Sequence, residues 1–226
     1  MNKTVIKILW VSVFSIAMAY LEAAVVVYLR RVYGISDLIL QVPPFDAQIA
    51  AIELGRELAT LVMLLSIGWI AGETFQSRVG FVFITFGLWD IFYYLWLRVF
   101  IGWPQSILEP DLLFLIPLPW WGPVLAPVLI ALLMVIGGIF AVIKVEKNGP
   151  LHIDAWSWVC LIAGVLILLY TFMADALIAL PADASTLSGL KPSQFNWPVY
   201  FIGFSLSVIA LGRIMAGKSG SNCKAI

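Results

Sequence analysis

Val79-Gly80-Phe81-Val82-Phe83-Ile84-Thr85-Phe86-Gly87-Leu88-Trp89-Asp90-Ile91-Phe92-Tyr93-Tyr94-Leu95-Trp96-Leu97-Arg98-Val99-Phe100-Ile101 is an apolar run with one acid near its middle and one base near its end. About 20 predominantly apolar residues cross the hydrocarbon core of a bilayer as a helix, so this run is long enough to span one. Asp90, Tyr94 and Arg98 recur every four residues and share one face of that helix. An ionised side chain at bilayer depth costs about 3 kcal/mol or more unless paired or hydrated. The rest of the chain must therefore supply something that faces Asp90.

Composition agrees with the membrane reading. The 226 residues are 62% hydrophobic and 12% charged, about half the charged share of a soluble domain. Mean hydropathy is +1.03. The stretches between apolar runs are too short for a separate soluble domain, so residues 1–226 read as a single integral membrane domain. Formal net charge is zero, which argues against a nucleic-acid partner, since that needs clustered Lys and Arg. The two cysteines, Cys160 and Cys223, are far apart and form no CxxC. Neither a disulfide framework nor a thiolate cluster is indicated. The lone His152 does not support haem, iron–sulfur or His-based zinc or copper sites, and no cofactor is specified.

Five more helices follow from the same length rule. The six spans are expected near residues 8–29, 52–72, 79–101, 123–143, 155–180 and 196–213. The fold class is all-α: a polytopic bundle of six transmembrane helices. Lys3 and Lys7 before an apolar stretch ending Ala17-Met18-Ala19 imitate a signal peptide. The apolar run continues past it to Leu29, so a retained first helix is favoured. The second span is preceded by a Pro43-Pro44 turn and by Asp46, a good N-cap residue. Its purely apolar part, Leu58 to Ala71, covers only about 21 Å at 1.5 Å per residue. The preceding turns, with Glu53, Arg56 and Glu57, are therefore expected to enter the membrane zone. Before the fourth helix, Ile116-Pro117-Leu118-Pro119-Trp120-Trp121-Gly122-Pro123 and then Pro127 exclude a regular helix. This Pro/Trp-rich segment reads as an interfacial approach, the alternative being a re-entrant segment lining a cavity. No convincing internal repeat is present.

Six crossings put both termini on one side. Lys3, Lys7, Arg78, Lys144, Lys147, Arg213, Lys218 and Lys224 fall nearer that side, against Arg30, Arg31, Arg56, Arg98 and Lys191. The positive-inside rule then expects a multi-pass protein of the cell membrane with both termini cytoplasmic.

Glu22, Asp90 and Asp175 lie within spans, as do Glu53 and Glu57 if the second helix is extended. Arg30, Arg56 and Arg98 lie at comparable outer-half depth, Arg30 and Arg31 also reading as snorkelling anchors. Asp37, Asp46, Glu109, Asp111 and Asp183 read as ordinary outer-loop acids. The economical expectation is one polar site in the outer half, with Asp90, Glu57, Glu22, Asp175, Glu53, Arg56, Arg98 and Tyr94 as its candidate ligand-binding residues. Its acid excess suits a proton, a metal cation such as Mg²⁺ or Mn²⁺, or an organic amine. Tyr93, Tyr94, Trp89 and Trp96 each read first as helix-packing or lipid-facing aromatics, the alternative being cation–π contacts to an organic cation.

Three function classes fit. The first binds or transports a proton, cation or small cationic solute. The second is an integral-membrane enzyme acting on a lipid or isoprenoid, with a carboxylate as acid or base and an Arg holding the head group. The third is an accessory subunit whose ion pairs (Asp90 or Glu22 with Arg56, Glu57 with Arg98) fix helix packing or meet a membrane-protein partner. Neither an Asp-rich DDxxD pair nor a GxSxG or HExxH motif points to a catalytic class. The expected partners are the lipid bilayer and a small solute, ion or lipid.

Overall fold

The computed structural model describes residues 2–32, 34, 47–114, 118–181 and 193–217. Pro43, Pro44, Asp46, Pro117, Asp183 and Lys191 of the sequence reading lie outside these residues.

Among the described residues six helices are long and apolar enough to cross a membrane: α1 (Lys3–Val32), α2 (Ala47–Ala71), α3 (Phe75–Ile101), α4 (Leu125–Asn148), α5 (Ala155–Ala179) and α6 (Trp197–Ala216). The chain is an all-α membrane protein. α2 carries Glu53, Arg56 and Glu57 on one continuous 25-residue helix, which is how a short apolar stretch reaches across. α3 begins one turn earlier than hydropathy suggests, because Thr74 and Ser77 form a reciprocal capping box ahead of the apolar run. It ends at Gly102, whose φ of 70° suits a residue without Cβ.

α3 is the central helix, packed against α1, α2 and α4. Its fit to α4 depends on small residues. A Cβ on Gly138 would sit 2.5 Å from the Gly80 carbonyl oxygen, and one on Gly87 would sit 2.5 Å from that of Ala131. With little hydrophobic drive between helices in lipid, such backbone approach supplies the van der Waals contact that holds them. Gly164 and Gly203 do the same where α5 crosses α6. Tyr200, fully buried on α6, joins that pair to α4 by donating to the Ala126 carbonyl at 2.7 Å.

Ahead of α4, β1 (Pro110–Phe114) pairs antiparallel with β2 (Trp120–Pro123), the end of the Pro/Trp-rich segment. The sequence excludes a regular helix there and expects an interfacial or re-entrant stretch, without naming strands. Pro117, Pro119 and Pro123 disfavour a helix there, while Pro127 is accommodated in the first turn of α4; a two-stranded ladder lets backbone groups pair with each other and tolerates Pro110 and Pro123 at the strand ends. Asp111 stands opposite Gly122 and Leu112 opposite Trp121. A Cβ on Gly122 would meet the Phe172 ring at 2.7 Å, so this glycine lets β2 lie directly on α5.

At the end of the bundle nearest the described N-terminus, polar side chains fasten the helices. Lys7 reaches Glu73 at 2.8 Å and lies 3.9 Å from Glu146, which also accepts from Thr4 Oγ1 at 2.5 Å. Lys7 holds the Glu73 carboxyl below the usual range. Asp154 is held down to about 2 by its cap bonds to Ser157 and by Arg213. Gln76 exchanges two hydrogen bonds with the Leu151 backbone.

Candidate functional site

The opposite end of α1, α2 and α3, together with β1, carries a dense polar cluster. Glu22, only 9% exposed, ion-pairs with Arg56 and accepts from Thr60 Oγ1 at 3.1 Å. Arg56 also binds Glu53 one turn back on α2, Nε to Oε2 at 2.8 Å. Glu57, also 9% exposed, acts electrostatically on the same guanidinium. The three α2 charges fall within one turn, so a single Arg meets acids from both its own helix and α1.

The second part of the cluster centres on the hairpin. Asp111 is 2% exposed. It accepts from Tyr94 Oη at 3.2 Å and lies 3.9 Å from Arg30 Nη2. The Arg30 guanidinium rests 4.3 Å from the Trp103 ring centroid. Burial pushes the Asp111 carboxyl up to about 6, with Arg30 and Tyr94 pulling the other way. Asp90, one turn before Tyr94 on α3, is half-buried and within electrostatic reach of Asp111. Among the described residues no Lys or Arg forms an ion pair with Asp90.

Tyr93 joins the two parts, since Asp111, Arg30, Arg56 and Asp90 all act on it. The cluster thus holds Glu22, Glu53, Glu57, Asp90 and Asp111 against the guanidiniums of Arg30 and Arg56. Acid exceeds base, five carboxyls to two guanidiniums, and Asp90 is in no ion pair among the described residues. Among the described residues no group of three or more His, Cys, Asp or Glu side chains is arranged to hold a metal ion.

Several donors beside this cluster have no acceptor. Trp89, Trp120 and Trp121 Nε1 and Arg30 Nε are buried without a hydrogen-bond partner among the described residues. Each buried unpaired donor costs about 1–3 kcal/mol. Phe114 packs between Trp89, 6.5 Å away, and Trp120, 5.5 Å away, while Trp121 neighbours Trp120 on β2.

Two of the sequence candidates stand apart. Arg98 does not meet Glu57: its Nη1 donates to the carbonyls of Gly102 and Pro104, the latter at 2.8 Å. It sits in the last turn of α3, where the nearest acceptors are the free carbonyls of the helix end and following turn. Asp175 accepts from Ser193 N at 2.8 Å and Oγ at 2.6 Å, and so fastens the approach to α6. Asp111 enters instead, a residue the sequence reading assigned to an ordinary outer loop. The apolar Leu112-Leu113-Phe114 after it was the available signal. Arg30 likewise faces the hairpin, its side chain 11% exposed, while its neighbour Arg31 is exposed as a snorkelling anchor would be.

Compared with known proteins, the chain matches no family model, no curated protein and no solved structure.

Proposed function

We propose that this protein binds a small cation, in competition with protons, at Asp90 and Asp111, and that it uses this site to move a cationic solute or proton across the membrane. The observation that carries the reading is Asp90. It is a carboxylate within a spanning helix, beside a second buried acid, with no base paired to it among the described residues. Arg56 is already engaged by Glu22 and Glu53, and Arg30 stands nearest Asp111. A cation or a proton is what such a pair of acids requires. The location we infer is the cell membrane, with both termini cytoplasmic and the cluster in the outer half.

The test is flux. Purified protein is placed in liposomes containing a pH-sensitive dye, and gradients of Na⁺, K⁺ or methylammonium are imposed. Cation-coupled proton movement, abolished by Asp90→Asn and Asp111→Asn in variants that keep native circular dichroism, supports the proposal. Absence of flux with all three cations counts against transport. Turnover of outer-leaflet lipid that depends on Asp90 would favour the enzyme reading. Failure of both variants to fold would favour the subunit reading, in which the charges serve assembly.

A further inference from the structure

We infer that Trp103 holds the Arg30 guanidinium off Asp111, and that Arg30 is thereby a tethered competitor of the cation bound at Asp90 and Asp111. This rests on the cation reading above and names the two residues that regulate occupancy of that site.

The two guanidiniums of the cluster are held in different ways. Arg56 is locked to its acids: it ion-pairs directly with Glu22, and its Nε lies 2.8 Å from Glu53 Oε2. Arg30 stands back from its own. Its Nη2 is 3.9 Å from Asp111 Oδ1, whereas a charged N–H donor closes on a carboxylate to about 2.7–2.9 Å. Both side chains are buried, that of Arg30 11% exposed and that of Asp111 3%. With so little water to screen them, opposite charges gain most from direct contact. Something else must therefore hold the guanidinium at that distance.

Trp103 does so. Arg30 Cζ lies 4.3 Å from the centre of its ring, inside the reach of about 6 Å for a cation–π contact, and Trp is the ring that favours one most. The Trp103 ring is in turn 6.2 Å from that of Tyr94, whose Oη donates to Asp111 Oδ2 at 3.2 Å. The contacts thus run in a closed circuit from Arg30 to Trp103, Tyr94, Asp111 and back. Three elements set its spacing. Arg30 is in the last turn of α1, Trp103 follows the Gly102 cap of α3, and Asp111 is on β1. Asp111 accordingly has two claimants, the tethered guanidinium and a mobile cation. They share one carboxylate and repel each other, so whatever seats Arg30 elsewhere favours the cation. Without the Trp103 ring, the long Arg30 side chain closes onto Asp111 and takes that half of the site.

The experiment measures the heat of methylammonium binding to the full chain in nanodiscs, for variants that keep native circular dichroism. Arg30→Met removes the competitor and should bind about ten-fold more tightly than wild type. Trp103→Leu frees Arg30 to pair with Asp111 and should bind about ten-fold more weakly, while Trp103→Phe keeps a ring and should stay within about three-fold of wild type. On the Arg30→Met background, Trp103→Leu should have no effect, a dependence that a merely structural role for Trp103 does not produce. Unchanged or weaker binding by Arg30→Met, or an equal effect of Trp103→Leu on both backgrounds, would overturn the inference and leave the cation reading standing. If Arg30→Met does not fold, the Trp103 variants decide: weak binding with Leu and near-normal binding with Phe supports the inference, and any other pattern overturns it. No saturable binding by wild type or by any of the variants would overturn both.

Discussion

Replacing Arg56 with Met tests how the cluster is held together. Arg56 neutralises Glu22 on α1 and Glu53 on α2, and its methylene stem would be replaced by a side chain of similar length. Removing one partner of a buried ion pair costs about 3–5 kcal/mol, because the other charge is left without compensation. The side chain of Glu22 is 10% exposed and that of Arg56 24%, so water relieves part of the loss and the low end, about 3 kcal/mol, applies. Glu22→Gln should cost less, about 1 kcal/mol, since Thr60 can still donate to residue 22 and Arg56 keeps Glu53. The double variant should be more stable than Arg56→Met alone, because it removes the stranded charge on α1. Reversible unfolding by SDS in mixed micelles, followed by far-UV circular dichroism, gives all three values. If Arg56→Met costs under about 1 kcal/mol, the level of exposed pairs, or if the two changes simply add, the cluster is solvated and the reasoning fails.

Two further outcomes follow from the same contacts. Asp111 has a folded-state value raised to about 6, so its protonated form favours folding; that contribution is complete below about 4, its unfolded value, and is lost as pH rises through 6. The wild-type protein in detergent without added ligand should therefore lose more stability between pH 5 and pH 7.5 than Asp111→Asn does, as read by thermal unfolding at each pH; equal losses would show that Asp111 does not titrate as its burial requires. Gly138→Val places a branched side chain where even a Cβ would lie 2.5 Å from the Gly80 carbonyl, so α3 and α4 must separate and the yield of monodisperse protein on gel filtration should fall several-fold. Gly212→Val, at a position with open space around it, is the control.

Much of the architecture was legible in the sequence because apolar runs of bilayer length can do little else than span as helices. The same rule explains why Glu53, Arg56 and Glu57 were placed in the membrane zone: 14 apolar residues do not cross it. The hairpin was not legible. Proline excludes helix without naming the alternative, and the pairing of residues 110–114 with 120–123 depends on a partner strand and on Gly122 fitting against Phe172. That missing element accounts for the exchange at the site. Depth along a helix is readable from residue number, so Glu22, Glu53, Arg56, Glu57, Asp90 and Tyr94 were all named. Which way a charge turns is not, so Arg98 and Asp175 were named alongside them although local acceptors take them up. Asp111 joins because the hairpin folds back on Tyr94 and Arg30, a contact between distant elements that no local pattern encodes.

The existence of a cation site at Asp90 is tested most directly by titrating methylammonium into the protein in nanodiscs and recording the heat of binding at pH 6 and pH 8. Saturable binding should appear, be stronger at pH 8 where protons compete less, fall at least ten-fold in Asp90→Asn, and persist in Asp154→Asn at the other end of the bundle. Heat that does not saturate with methylammonium, Na⁺ or K⁺, or binding that is the same in Asp90→Asn, would contradict it.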